Sequence, residues 1–249
     1  MRALSAAELL HVWEHGLTQS LVQRALALLV VAGDDEQPDM VAQLSIGQRD
    51  TRLMTLREWA FGGRIDGIVT CPGCGERLEM TFEISDIRAS PRLPDSGAGQ
   101  AVESFGLSLG DYALLFRLPN SADLSAVAGA SDVAVGYRKL FERCILSAQR
   151  NGTDLSAADL PDDVVAAATA GMAEADPQAD VQIALTCPAC TQPWQATFDI
   201  LSYFWHEIDD WAQRILRDVH TLASAYGWRE ADILALSPRR RQLYLDMVR

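Results

Sequence analysis

Five cysteines stand at positions 71, 74, 144, 187 and 190, and four of them form two Cys-x-x-Cys pairs. The residues around the pairs repeat. Val69-Thr70-Cys71-Pro72-Gly73-Cys74, followed by Thr81-Phe82-Glu83-Ile84, recurs as Leu185-Thr186-Cys187-Pro188-Ala189-Cys190, followed by Thr197-Phe198-Asp199-Ile200, at a constant offset of 116 residues. A proline presets the first dihedral of a turn, and the small residue after it lets backbone amides point back at the sulfurs, as a zinc knuckle requires. Two knuckles supply the four thiolates of a tetrahedral site: Cys71, Cys74, Cys187 and Cys190. With all four positions taken by protein thiolates no position is open to substrate, so the expected zinc is structural. Two other readings stand beside this one: separate hairpins without metal, and a redox-active thiol pair. The redox reading needs a pair that opens a helix after a strand, whereas both pairs here lead into a second strand. Cys144, inside an apolar helical pattern, reads as a core residue.

The elements that must position these cysteines are hairpins. Ile68 to Thr70 enter the first turn, and Leu78, Met80, Phe82 and Ile84 alternate with Glu79, Thr81 and Glu83 on the way out. The second copy enters through Val181, Ile183 and Leu185 and leaves through Trp194, Ala196, Phe198 and Ile200. The 112 residues between Cys74 and Cys187 far exceed the roughly 15 to 20 of a compact ribbon. The intervening segment is therefore an insertion, and the ribbon is split.

Helices surround it. Ser5-Ala6-Ala7-Glu8 is a capping box for a helix that stops at Gly16. Thr18 opens an apolar helix ending near Gly33, Asp34 to Asp39 is an acidic loop, and a third helix runs from about Gln48 to Phe61. Proline, serine and glycine are dense from Ala89 to Gly99, which reads as a linker. Leu114 to Leu118 reads as a strand, and Asp132 to Gln149 as a helix with Val135, Leu140, Cys144 and Ile145 inward. The segment from Asn151 to Asp180 carries seven acids and neither lysine nor arginine, around a helix from Val164 to Ala173. A solvated acidic face accounts for it, with a surface for a basic partner as the other reading.

The longest helix spans about Leu201 to Tyr226. Its apolar positions Leu201, Phe204, Ile208, Trp211, Ile215, Val219, Leu222 and Tyr226 form a near-heptad stripe of about 40 Å. Such a stripe is covered by this chain's own helices or by a partner. Ser237-Pro238 starts a last helix that places Arg239, Arg240 and Arg241 opposite Leu243, Leu245 and Val248. Trp211, Leu222, Tyr226 and the three arginines are the candidate partner-binding residues. The fold expected is α+β, with two antiparallel hairpins forming a split zinc ribbon among helices and a long C-terminal helix. Its regions are 1–63, helical; 64–88, first knuckle hairpin; 89–179, inserted α/β region; 180–200, second hairpin; and 201–249, C-terminal helices.

Composition bounds the function. The 249 residues, 49% hydrophobic and 22% charged, suit a globular protein with a real core. A formal charge of −13 argues against general affinity for nucleic acid or anionic lipid. The apolar stretch Ala25 to Ala32 is too short for a membrane span, and no leader pattern opens the chain, so a bacterial cytoplasmic location is expected. His11-Val12-Trp13-Glu14-His15 fits one metalloprotease pattern, but the helix is short and no third ligand can be nominated. Gly106-Leu107-Ser108-Leu109-Gly110 fits a nucleophile elbow, but a strand follows it where that motif needs a helix. An enzyme is not expected.

Leu44 to Gly62, with Arg49-Asp50, the leucine-rich stretch Leu53 to Arg57 and the stop Phe61-Gly62, is followed by Cys71-Pro72-Gly73-Cys74-Gly75. Together these resemble the baseplate hub assembly chaperone family of contractile-tailed phages and similar proteins of phage-tail-like contractile injection systems. The stretch from Tyr226 to Arg241 also looks like the ends of such proteins. The resemblance implies an assembly chaperone or a structural part of a baseplate, with hub or spike proteins as partners, located in the cytoplasm or within an assembled tail-like particle. Self-association is left open. The competing reading is a zinc-ribbon adaptor of an unrelated bacterial complex.

Overall fold

The computed structural model describes residues 1–33, 37–89 and 103–248. The expected linker beyond Ala89 and residues 34–36 of the acidic loop lie outside them. In chain order the first elements are α1 (Ala6–Gly16), α2 (Leu21–Ala32), α3 (Pro38–Ala42), α4 (Ile46–Phe61), the hairpin β1 (Arg64–Thr70) and β2 (Arg77–Glu83), and α5 (Ile84–Ile87). Then come β3 (Phe105–Leu109), β4 (Tyr112–Phe116), α6 (Ser121–Val127), α7 (Val133–Cys144), β5 (Ile145–Arg150), β6 (Thr153–Asp154) and α8 (Asp162–Ala175). The hairpin β7 (Val181–Thr186) and β8 (Pro193–Phe198) leads into α9 (Ile200–Tyr226), α10 (Glu230–Leu234) and α11 (Pro238–Val248).

The chain divides into two units. One comprises Met1–Pro38, Leu53–Gly62 and Asp199–Arg249; the other comprises Asp39–Arg52 and Gly63–Phe198. The first unit is helical. Ser5 with Glu8 caps α1 reciprocally, and Ser20 with Gln23 does the same for α2. The sequence places the second start at Thr18; the helix begins at Leu21 because Ser20 and Gln23 supply the complete box. Leu10 of α1, Ala212, Ile215 and Leu222 of α9, Ile233 of α10 and Leu245 of α11 form one buried cluster. Each large apolar side chain so buried contributes about 1.5–3 kcal/mol. The expected stripe of α9 therefore has cover within its own unit along much of its length. Gly16 closes α1 against the ring of Trp205, where a Cβ would collide with the indole.

Buried charges in this unit are paired. Arg57 forks onto the Glu207 carboxylate at 2.8 and 2.6 Å and donates to the Gly62 carbonyl at 2.6 Å. A guanidinium is tolerated away from water only with such partners. On α11, Arg241 is buried beside the Asp218 carboxylate at 3.3 Å, while Leu243 is exposed. The sequence sets Arg241 opposite Leu245; Arg241 and Leu245, four residues apart, instead share the inward face, and the ion pair makes that burial tolerable.

In the second unit β3, β4, β5 and β6 form an antiparallel sheet in that order. Its core joins Leu114 of β4, Phe141 of α7, Ala148 of β5 and Val164 and Ala168 of α8. Here one expected element divides in two. The helix read from Asp132 to Gln149 ends at Cys144, and Ile145–Arg150 is a strand paired with β4, with Leu114 opposite Ala148. Phe141 and Cys144 point inward, whereas Val135 is exposed. Gly106 to Gly110 lies on β3 and its turn into β4, and Ser108 is an exposed strand residue opposite Ala113. Ile84, expected to extend the first hairpin, starts α5 instead.

Polar groups fasten the loops of this unit. The buried Asp123 carboxylate receives Arg117 at 2.5 and 2.9 Å, Arg143 at 2.9 Å and the Asn120 amide at 3.1 Å. Arg49, from the Arg-Asp pair noted in the sequence, bonds the Asp50 carboxylate at 2.7 Å and the Ser121 hydroxyl at 3.2 Å.

Candidate metal centre

The two hairpin tips are built alike. In the first, the Cys71 amide donates to the Glu76 carbonyl at 2.8 Å and the Gly75 amide to the Cys71 carbonyl at 2.9 Å. In the second, the Cys187 amide donates to the Gln192 carbonyl at 3.0 Å and the Thr191 amide to the Cys187 carbonyl at 2.8 Å. Both close with a left-handed residue, Gly75 at φ 77° and Thr191 at φ 61°. Below the tips β1 pairs with β2 and β7 with β8 in matching register, Val69 opposite Leu78 and Leu185 opposite Trp194. Leu78, Met80 and Phe82 on one hairpin, and Trp194 and Ala196 on the other, are half-buried, while the alternate residues face water. Phe82 and Phe198, equivalent residues of the two copies, meet edge to face at 5.5 Å.

This pairing of hairpins brings the four predicted ligands together. The Cys71 and Cys190 sulfurs are 3.7 Å apart, the Cys74 and Cys187 sulfurs 3.6 Å, and all four lie within 4.8 Å of one another. The two cross-hairpin distances are equivalent under the 116-residue repeat, as is the burial: Cys71 and Cys187 are buried, Cys74 and Cys190 exposed. A thiolate tetrahedron with metal–sulfur bonds of about 2.3 Å has edges of about 3.8 Å, so the donor set fits one such ion.

Backbone amides prepare the sulfurs for charge. Hydrogen bonds from the Cys74 amide, and secondarily the Gly73 amide, bring Cys71 down to about 7 against the effect of burial. At Cys74 an amide hydrogen bond from Glu76 acts in the same direction, but the neighbouring Cys190 and Cys187 sulfurs outweigh it and push the thiol up to about 12. Four sulfurs this close cannot all ionise without a cation among them, which is the electrostatic case for a bound metal. Cys144 is outside the cluster; burial first, and the Asp123 carboxylate second, push it up to about 11.

The remaining candidates are dispersed. His11 and His15 are exposed on α1 with ring centroids 4.1 Å apart, and no acidic, cysteine or third histidine ligand joins them in a metal-sized group among the described residues. Of the partner-binding candidates, Arg239 and Arg240 are exposed and Tyr226 is 39% exposed, stacked on Trp228 at 4.8 Å. Trp211 is half-buried, and Leu222 and Arg241 are buried. Thr191 carries no sequence signal of its left-handed backbone beyond its alignment with Gly75 in the repeat. The cleft between α7 and α8 has no sequence signal, because the apolar pattern runs through the end of α7 into β5 without a break.

The family described as T4 bacteriophage base plate protein matches residues 10–205, a span that includes both cysteine pairs. The chain belongs to that family, and its role is accordingly that of a phage baseplate protein, with other baseplate proteins as its partners. No curated protein and no solved structure matches the chain. No described helix is long and apolar enough to cross a membrane.

Proposed function

We propose that this chain is a non-enzymatic assembly chaperone or structural component of the baseplate of a contractile phage tail or phage-tail-like injection system. The observation that carries the reading is the family match across residues 10–205, which includes both cysteine pairs and the Arg49-Asp50 motif. In this reading a zinc ion held by Cys71, Cys74, Cys187 and Cys190 locks two hairpins whose facing residues, apart from the buried Phe198, are only half-buried. Such an ion supplies folding energy to a small apolar interface. The protein then works in the bacterial cytoplasm or within the assembled particle, and hub or spike proteins are its partners. Trp211, Leu222, Tyr226 and Arg239 to Arg241 form or support the surface that receives them.

Co-expression with the hub and spike proteins of the same contractile system tests this. A stable complex recovered by affinity purification is the expected result, and none forming with any baseplate protein overturns it. Particle composition then separates the two roles: a structural component is retained in purified tails, and a chaperone is absent from them.

A further inference from the structure

A cleft of about 370 Å³ opens in the second unit between α7 and α8. Leu140, Phe141 and Met172 give it apolar walls, and its charged lining residues, Asp176 and Asp180, are both acidic. The Tyr137 hydroxyl, at the exposed edge, bonds the Thr169 hydroxyl across the two helices at 2.7 Å. Val133, one helical turn before Tyr137, is 89% exposed, so apolar surface continues along α7 away from the cleft. Asp176 is buried and accepts the Gly47 amide at 2.9 Å, which fixes its carboxylate in place. Asp176 and Asp180 both belong to the segment 151–180, which holds seven acids in all and no lysine or arginine. The cleft shares no residue with the cysteine cluster or with the C-terminal helices.

We propose that this cleft receives a large apolar side chain carried on a positively charged segment of a baseplate partner, a statement that takes the proposed function as its premise. Its volume lies at the small end of the roughly 300–1,000 Å³ of ligand pockets, suited to a side chain rather than a large cofactor. Charge narrows the class of segment. The exposed Asp180 carboxylate beside an apolar cavity, with Asp176 buried behind it, disfavours acidic segments and attracts arginine or lysine, whose alkyl stem lies on apolar surface while the charged head reaches Asp180. The exposed Val133 and Tyr137 lengthen the apolar track beside the anchor.

The test uses the full chain and two fluorescein-labelled synthetic peptides that share one central tryptophan and differ only in flanks of arginine or glutamate. The arginine peptide is expected to bind about tenfold tighter or better than the glutamate peptide, with the gap narrowing as salt rises. Ala173→Trp adds bulk at an exposed lining position and is expected to abolish binding; Asp180→Asn is expected to weaken it several-fold. If Ala173→Trp lowers the melting temperature, Asp180→Lys on the exposed turn replaces it, and loss of the preference for arginine is expected. Equal affinity for both peptides makes the cleft a pocket without charge recognition and overturns the proposal. Unchanged binding by both lining variants places the peptide elsewhere and also overturns it. Co-purification separates premise from inference. Failure of the wild-type chain to hold any baseplate protein counts against the proposed function, whereas an Ala173→Trp chain that holds its partner as well as wild type counts against the cleft alone.

Discussion

Thr191 takes the left-handed backbone conformation, at φ 61°, that its repeat counterpart Gly75 takes at 77°. For an L-residue this conformation costs about 1–2 kcal/mol, and a β-branched side chain has least freedom to adopt it. The Thr191 hydroxyl donates to the Cys190 carbonyl at 2.7 Å and offsets part of that cost. Thr191→Gly removes the strain but gives the unfolded chain more freedom, so the expected net gain is about 0.5–1 kcal/mol, or a few degrees of melting temperature. Gly75→Thr is expected to lose about 1 kcal/mol. Thermal melting of the two variants checks both signs, and a Thr191→Gly protein that melts below wild type contradicts the strain.

The metal prediction is one zinc per chain. Elemental analysis of the purified protein is expected to give one equivalent, unchanged in Cys144→Ser and lost in Cys187→Ser with Cys190→Ser. Full retention of zinc in that double variant sinks a site shared between the hairpins. Chelation is expected to unfold the hairpin pair, because apparent zinc binding energies of roughly 10–16 kcal/mol in small modules are also folding energy. Loss of the Phe82–Phe198 contact, followed by nuclear Overhauser effects between the two rings, reports it locally.

What the sequence disclosed and what it concealed divide by the range of the interactions involved. The knuckles were legible because proline, cysteine spacing and period-two alternation act within a few residues, and the repeat made one hairpin a control for the other. The end of α7 was not. Ile145, Leu146 and Ala148 suit a helix continuing from Cys144 as well as a strand, and only the distant partner β4 decides, placing Leu114 against Ala148. The inward turn of Arg241 was concealed for the same reason: its face is set by Asp218 on another helix. The division of α4, whose residues to Arg52 belong to one unit and from Leu53 to the other, leaves no trace in a continuous helical pattern.

Asp123 sets an acid limit. Burial raises its pKa, but hydrogen bonds from Arg117, the Asn120 amide and Arg143 outweigh this and hold the carboxyl below its ordinary 3.8. A carboxyl depressed in the folded state contributes stability that is fully present above the unfolded value and is lost as pH falls through the folded one. Asp123→Asn leaves the mostly buried Arg117 without its anion and is expected to cost about 3 kcal/mol at neutral pH. Denaturant titrations are expected to show a constant gap between wild type and variant from about pH 5 to 8, closing below about pH 4. A gap that does not narrow in acid assigns the loss to packing instead of charge.

The C-terminal surface yields a prediction in which neighbouring residues behave differently. Leu222 is fully buried against Ile233 and Leu245, so Leu222→Ala is expected to cost about 2–5 kcal/mol of stability. Arg241, buried beside Asp218, is expected to lower the melting temperature when replaced by alanine. Arg239 and Arg240 are exposed, and surface substitutions of this kind change stability by no more than about 0.5 kcal/mol. If they offer guanidinium forks to carboxylates on a hub or spike protein, Arg239→Ala with Arg240→Ala leaves melting unchanged and weakens pull-down of the partner, more at low salt than at high. Tyr226 lies between these cases: stacked on Trp228 and 39% exposed, it is expected to lose some stability and some binding when cut to alanine. Melting and pull-down measured on the same four preparations decide the matter. Binding that falls only in step with melting makes this end of the molecule interior support and removes it as the docking surface; binding lost by the double arginine variant at full stability locates the interface there.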